Sequence, residues 1–263
     1  MGRHKSYENF KNDLENIFST IVSLQHYSLV GEVLFFNKDK LKLTTEEDVK
    51  VFKDIHAFEH VNYINNSLFI ALIALLESYL QDRLIEELES NEGKVQQLIR
   101  KYSIDRKLTP DDVIKGPRSL ANEIIEGTIF HNLPVVNALY KNVFNTDILG
   151  LMKDKEIFLL IKIRHKIVHH SGRVAEKRIK IREMGILEAM NSISRWIENI
   201  EFYLSNKKER KTFPNYVRRY FKDAGYKNSK IYEQGMPQLA GRWLVNMDNN
   251  IKNKGIDQHI YWK

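Results

Sequence analysis

The sequence predicts an all-α protein: an antiparallel helical bundle with inserted short helices and a basic helical extension at its C-terminal end. Three observations carry this prediction. Apolar residues recur at threes and fours over four long stretches, near 6–28, 63–89, 154–171 and 184–205, and helices with one apolar face pack as bundles. Helix punctuation falls between them, with Thr44 before Glu46 and Glu47, Thr109 before Pro110, and Gly172 after the third stretch. At 263 residues with 43% hydrophobic content, the chain can bury the core of one large domain or two small ones.

Composition removes several function classes. There is no cysteine, so disulfide frameworks, thiolate catalysis and Cys-ligated zinc are excluded. That absence fits a reducing cytoplasm. The longest apolar run, at 68–76, is nine residues, against the roughly 20 that a membrane span needs. The opening MGRHKSYENF lacks the apolar core of a signal peptide, although Gly2 and Ser6 match a loose acylation pattern that also arises by chance. The net charge of +7 is local: residues 207–230 hold nine Lys or Arg against Glu209 and Asp223, which is the whole excess.

In chain order, 6–28 reads as a first helix with Phe10, Leu14, Ile17, Phe18, Ile21 and Leu24 on one stripe. Residues 30–43 read as a loop with a short extended piece at 33–36. A helix from Thr44 toward Tyr63 follows, carrying His56 and His60 at a spacing of four. Two such rings can share a metal, but no third ligand lies nearby, so a surface pair is expected. Residues 65–89 form the strongest helix, apolar over more than half its circumference and therefore central. Glu77 interrupts its apolar run and must find a partner or reach water.

Residues 91–153 read as an insertion of short helices, at 94–102, from Thr109, and at 118–126, 134–143 and 147–153. After a charged segment at 173–182 comes a long helix, 184–204, with Leu187, Met190, Ile193, Ile197, Ile200 and Leu204 on its stripe. The bundle thus spans 1–206 and the extension 207–263. In the extension, Phe213, Tyr216, Val217, Tyr220 and Phe221 fall at helical spacing among Arg218, Arg219 and Lys222. Aromatics amid cations can stack bases and neutralise phosphates, and they can equally dock the extension on the bundle. Residues 237–252 suggest a final amphipathic helix.

The chemistry concentrates in 156–172. Ile157, Leu160, Ile161, Ile163, Ile167 and Val168 form its apolar face, and Gly172 supplies a C-cap. Its last turn and a half carries Arg164, His165, Lys166, His169 and His170. Arg164 and His169 are five positions apart, about 140° net around the helix, on adjacent faces that a long Arg can bridge. A neutral-range imidazole moves protons and a permanent cation holds phosphate, which suits metal-free RNA cleavage. The same residues also fit a simpler reading, in which Arg164 pairs with a neighbouring helix and the histidines meet carbonyls at the helix end.

Arg164-His165-Lys166-Ile167-Val168-His169 resembles the Arg, polar residue, three residues, His motif of HEPN-domain ribonucleases. Leu76-Glu77-Ser78-Tyr79-Leu80 is similar to the second long helix of several families in that group. The resemblance implies a metal-independent endoribonuclease without cofactor, in which RNA 2′-hydroxyl attacks the adjacent phosphate to leave a cyclic phosphate. It implies His169 as general acid or base and Arg164 as stabiliser of phosphorane charge. His165 takes the polar, orienting position, His170 is a substitute for His169, and Glu77 is the acid beside the cleft. Lys166, Arg173, Lys211, Arg218, Arg219 and Lys222 are the expected RNA contacts. The resemblance also implies a homodimer with two motifs across a shared cleft, and a toxin, phage-defence or stress-response role in the cytoplasm. No Tyr follows His169 closely, so the regulation by a nucleotidyltransferase known in one branch is not expected. The alternative is a non-catalytic helical module that binds RNA or a partner protein through the basic C-terminal face.

Overall fold

The first long helix, α1 (Lys5–Phe36), continues through 30–36, where the sequence predicts a loop with an extended piece at 33–36. Leu29, Val30, Val33 and Leu34 continue the spacing of threes and fours, and a lone Gly31 costs only about 1 kcal/mol. The protein is seen in a computed structural model that describes residues 4–36, 58–105, 109–152, 156–169, 173–174, 177–179, 181–205 and 212–223, the backbone alone at 25–36, 58–62, 103–105, 113, 173–174, 177–178 and 221–223. The predicted helix start at Thr44, His56, the ring of His60 and the helix at 237–252 lie outside what is described, as does Gly2.

Tyr7, Phe10, Leu14, Phe18 and Ile21 of α1 are buried against α2 (Phe58–Ser90). This second helix holds neither Gly nor Pro, and it buries Phe69, Leu72, Ile73, Leu76, Leu80, Leu84 and Leu88. Each such side chain contributes about 1.5–3 kcal/mol. The helix begins before residue 65, where the sequence places its start, so Asn65 and Asn66 sit inside it. Their amides donate to the carbonyls of Ile181 and Ile179 at 3.1 and 3.2 Å, so their polarity is satisfied across the fold rather than in a cap.

The middle region forms α3 (Glu92–Asp105), α4 (Pro110–Lys115), α5 (Pro117–Glu126) and α6 (Leu133–Phe144). Helix α4 starts after Thr109 as the sequence announces, and Thr109 and Asp112 make a reciprocal capping box there. Leu120, Ala121, Ile125, Val136, Tyr140 and Val143 join the same apolar core as α2. Of the helix predicted at 147–153, the described residues 147–152 are not helical. Leu149 N donates to Asn137 Oδ1, while Trp196 and Asn199 donate to the carbonyls of Ile148 and Leu151, so side chains satisfy the backbone that a helix would have paired.

Then come α7 (Glu156–His169), a two-stranded ladder of β1 (Arg173–Val174) and β2 (Lys177–Arg178), α8 (Glu183–Leu204) and α9 (Tyr216–Asp223). The described residues thus form nine helices and one minimal antiparallel ladder, an all-α fold. Helix α2 is its hub, packing against α1, α3, α5, α6, α7 and α8. Helix α9 docks on α8 and α1 through buried Tyr216, Val217 and Tyr220, the docking role the sequence offered for these aromatics. No helix among the described residues is long and apolar enough to cross a membrane.

A charged network crosses this core. Tyr79, Arg83 and Glu201 are each at most 2% exposed. Tyr79 Oη donates to Glu201 Oε1 at 2.7 Å, and Arg83 Nε faces the same oxygen at 3.4 Å. Arg83 also meets Glu87 at 3.4 Å and His4 Nε2 at 3.2 Å, and lies 5.0 Å over the Phe144 ring. Burial would raise the Glu87 carboxyl, but Lys94 and Arg83 hold it below its usual value.

Candidate functional site

Helix α7 begins at Glu156, whose carboxylate accepts from Ser192 of α8 at 2.5 Å. Ile157, Leu160, Ile163 and Ile167 are buried against α2 and α8, which fixes the helix's rotation. That rotation decides what its last turns present. His165 and His169, one turn apart, are both exposed, and their ring centroids lie 4.4 Å apart at an interplanar angle of 42°. Val168, placed on the apolar face by sequence, is instead 44% exposed, because it follows Arg164 by four and shares the outer side with the histidines.

Arg164 is half-buried. Its Nε is inaccessible to solvent and has no hydrogen-bond partner among the described residues. A guanidinium nitrogen left this way is a donor held ready or a local cost, since an unmade buried hydrogen bond costs about 1–3 kcal/mol.

Two residues of the expected site are placed differently. Lys166, expected to touch RNA, is 7% exposed, three positions from buried Ile163 on the inner side of the helix. Burial, with a smaller effect from Lys162 one turn back, pulls its ammonium below the usual lysine value. Glu77 does not reach Arg164. Its neighbour is the His131 ring, in the turn between α5 and α6, at 3.7 Å, and its buried Oε1 accepts no hydrogen bond among the described residues. His131 had no signal in the sequence, because it lies 54 positions from Glu77 in a turn whose path only the fold decides.

The basic extension is also partly committed. Arg219 pairs with Glu15 of α1 at 2.5 Å and lies 4.5 Å over the Phe18 ring, so this cation holds α9 to the bundle. Arg218 is exposed. Arg173 is a backbone member of β1, its side chain outside the described atoms, as are His170, Lys211 and the Lys222 side chain. Among the described residues, no group of three His, Cys, Asp or Glu could hold a metal ion.

The pairing of His169 with His165 was legible from their spacing of four, which stacks side chains on one helix face. What the arrangement offers chemically is two solvent-facing imidazoles beside a cation with an unused donor. In comparisons with known proteins, no family model, no curated protein and no solved structure matches the chain.

Proposed function

We propose that this protein is a metal-independent endoribonuclease of the HEPN type, acting at the end of α7. The observation that carries the reading is the exposed His165–His169 pair beside Arg164, whose buried Nε has no partner. In the proposed reaction a base takes the proton of the 2′-hydroxyl, and O2′ bonds to the adjacent phosphorus. The P–O5′ bond breaks, and an acid returns a proton to O5′. The products are a cyclic phosphate and a 5′-hydroxyl end. His169 is one proton carrier, and Arg164 stabilises charge on the phosphorane.

The ring spacing shapes this proposal. Two donors that bind opposite sides of a phosphate stand about 6 Å apart or more, given ordinary hydrogen-bond lengths. Rings with centroids 4.4 Å apart touch each other instead. One α7 therefore supplies one proton carrier and His165 orients it. The second carrier comes from α7 of another copy, which makes the proposed enzyme a homodimer. A toxin, phage-defence or stress-response role follows in the same proposal.

The test is incubation of a mixed RNA pool with wild type, Arg164→Ala and His169→Ala in EDTA, followed by end-group analysis. Cyclic-phosphate ends made by wild type and lost in both variants are expected. RNA left intact by wild type, with RNA binding unaltered in the variants, would favour a non-catalytic helical module. The commitment of Arg219 to α1 already narrows the basic face on which that module would rely.

A further inference from the structure

Resting on the ribonuclease reading, a second RNA contact can be placed away from the histidines. Tyr63 of α2 is 75% exposed, an apolar ring left in water on a regular helix, its carbonyl accepting from Ser67 one turn on. Asn66 follows it by three positions and so lies on the same side of the helix. That side is tied down: Asn66 donates to the carbonyl of Ile179 and neighbouring Asn65 to that of Ile181, with both isoleucines buried.

Ile179 directly follows β2, and β2 pairs with β1, Arg173 standing opposite Arg178. Strand β1 in turn packs on α7, four residues beyond His169. Four residues reach at most about 14 Å, and ladder partners lie about 5 Å apart. The ladder therefore links the histidine end of α7 to the Tyr63 end of α2 over a few nucleotides' length. Three of its four residues are cations, Arg173, Lys177 and Arg178, and Arg182 beyond them is exposed. A basic ribbon ending at an exposed aromatic ring matches an unpaired, anionic strand, whose phosphates need cations and whose bases need a stacking face.

We propose that single-stranded RNA runs along the β1–β2 ribbon and seats one base on the Tyr63 ring. Duplex RNA has no free base to offer and does not use this ring.

The test uses the full chain carrying His169→Ala, so that RNA is bound and not cut, with a fluorescent single-stranded RNA read by anisotropy. Tyr63→Ala is expected to weaken binding about tenfold, and Tyr63→Phe to retain it, since the ring rather than the hydroxyl stacks. Arg182→Ala should flatten the dependence of log affinity on log salt by about 0.7. Circular dichroism confirms that each variant is folded. Equal binding by Tyr63→Ala and its parent, or no binding by any of them, would overturn the inference. Cleavage by the chain with His169 intact reports separately on the nuclease. Cleavage with Tyr63-independent binding overturns the second contact alone, and Tyr63-dependent binding without cleavage overturns the nuclease alone.

Discussion

The Tyr79–Arg83–Glu201 network and the end of α7 are two polar regions built on opposite terms. In the first, an arginine 2% exposed has two carboxylates, a histidine and an aromatic face around it, and the tyrosine hydroxyl donates to the same Glu201 oxygen that the arginine faces. The Nε of both arginines is buried without a hydrogen bond, but that of Arg83 faces the Glu201 carboxylate at 3.4 Å, whereas Arg164 has no ion pair among the described residues and two exposed imidazoles follow it on α7. The first arrangement joins α2 to α8 and holds the fold. The second leaves a permanent cation without a carboxylate among the described residues, as a site for an anionic ligand must. Charge alone does not distinguish a functional arginine from a structural one; what surrounds it does.

Breaking the first region should have the largest effect on stability. Glu201→Ala removes the fully buried one of the two carboxylates around Arg83 and the Tyr79 acceptor, with an expected loss of about 3–5 kcal/mol. Urea unfolding measures it directly. Arg164→Ala supplies the contrast, with stability within about 0.5 kcal/mol of wild type. A comparable loss in both variants would erase the distinction between the regions. On the proposed nuclease, the same Arg164→Ala should lower cleavage about 10²- to 10³-fold, read in single-turnover assays.

Only half of this contrast was legible in the sequence. The α2 stripe, the α4 start at Thr109, the α8 stripe and the docking of Tyr216, Val217 and Tyr220 follow from periodicity and local chemistry. The helix at 147–153 failed because its peptide groups are claimed by Asn137, Trp196 and Asn199, partners that only tertiary structure brings near. Arg83 and Glu201 each read as ordinary helix-surface charges, and nothing local says that they meet across 118 positions. At the candidate site, spacing was enough to bring His165 over His169, but not to foresee that Glu77 faces His131. Local rules describe how a helix starts, stops and amphipathically turns; cross-core polar contacts depend on which helices become neighbours.

Alkaline pH sharpens the comparison further, because burial raises the Tyr79 phenol well above its usual value, with Glu201 adding to the effect. Burial likewise raises Tyr140 and Tyr216. A raised phenol keeps its proton in the folded chain while the unfolded one ionises. Its contribution is fully present below pH 10.0, the ordinary tyrosine value, and is lost as pH rises above it. Tyr79→Phe should remove its share of that loss, at most about 1.4 kcal/mol per pH unit, in unfolding curves at about pH 9 and 11. Identical alkaline slopes in both proteins would mean that the Tyr79 phenol ionises alike, folded or unfolded.

The smallest effect expected is also the most telling about α7. Lys166 is 7% exposed, and no ion pair for it occurs among the described residues, unlike Arg83. Burial holds its ammonium below the usual value of 10.5, so the folded chain releases this proton before the unfolded one does. Between those two values the unfolded state binds more protons, and the term for this residue makes stability rise with pH toward 10.5. At neutral pH the buried charge is a net cost. Lys166→Met keeps the length and apolar stem of the side chain and drops the ammonium, for an expected gain of about 0.5–1 kcal/mol. The rise with pH that belongs to Lys166 should vanish with it, and RNA cleavage and binding should stay within about twofold, because the residue faces inward. A loss of RNA binding in a folded Lys166→Met protein would instead return this cation to the RNA face, and α7 would then have to turn when it binds.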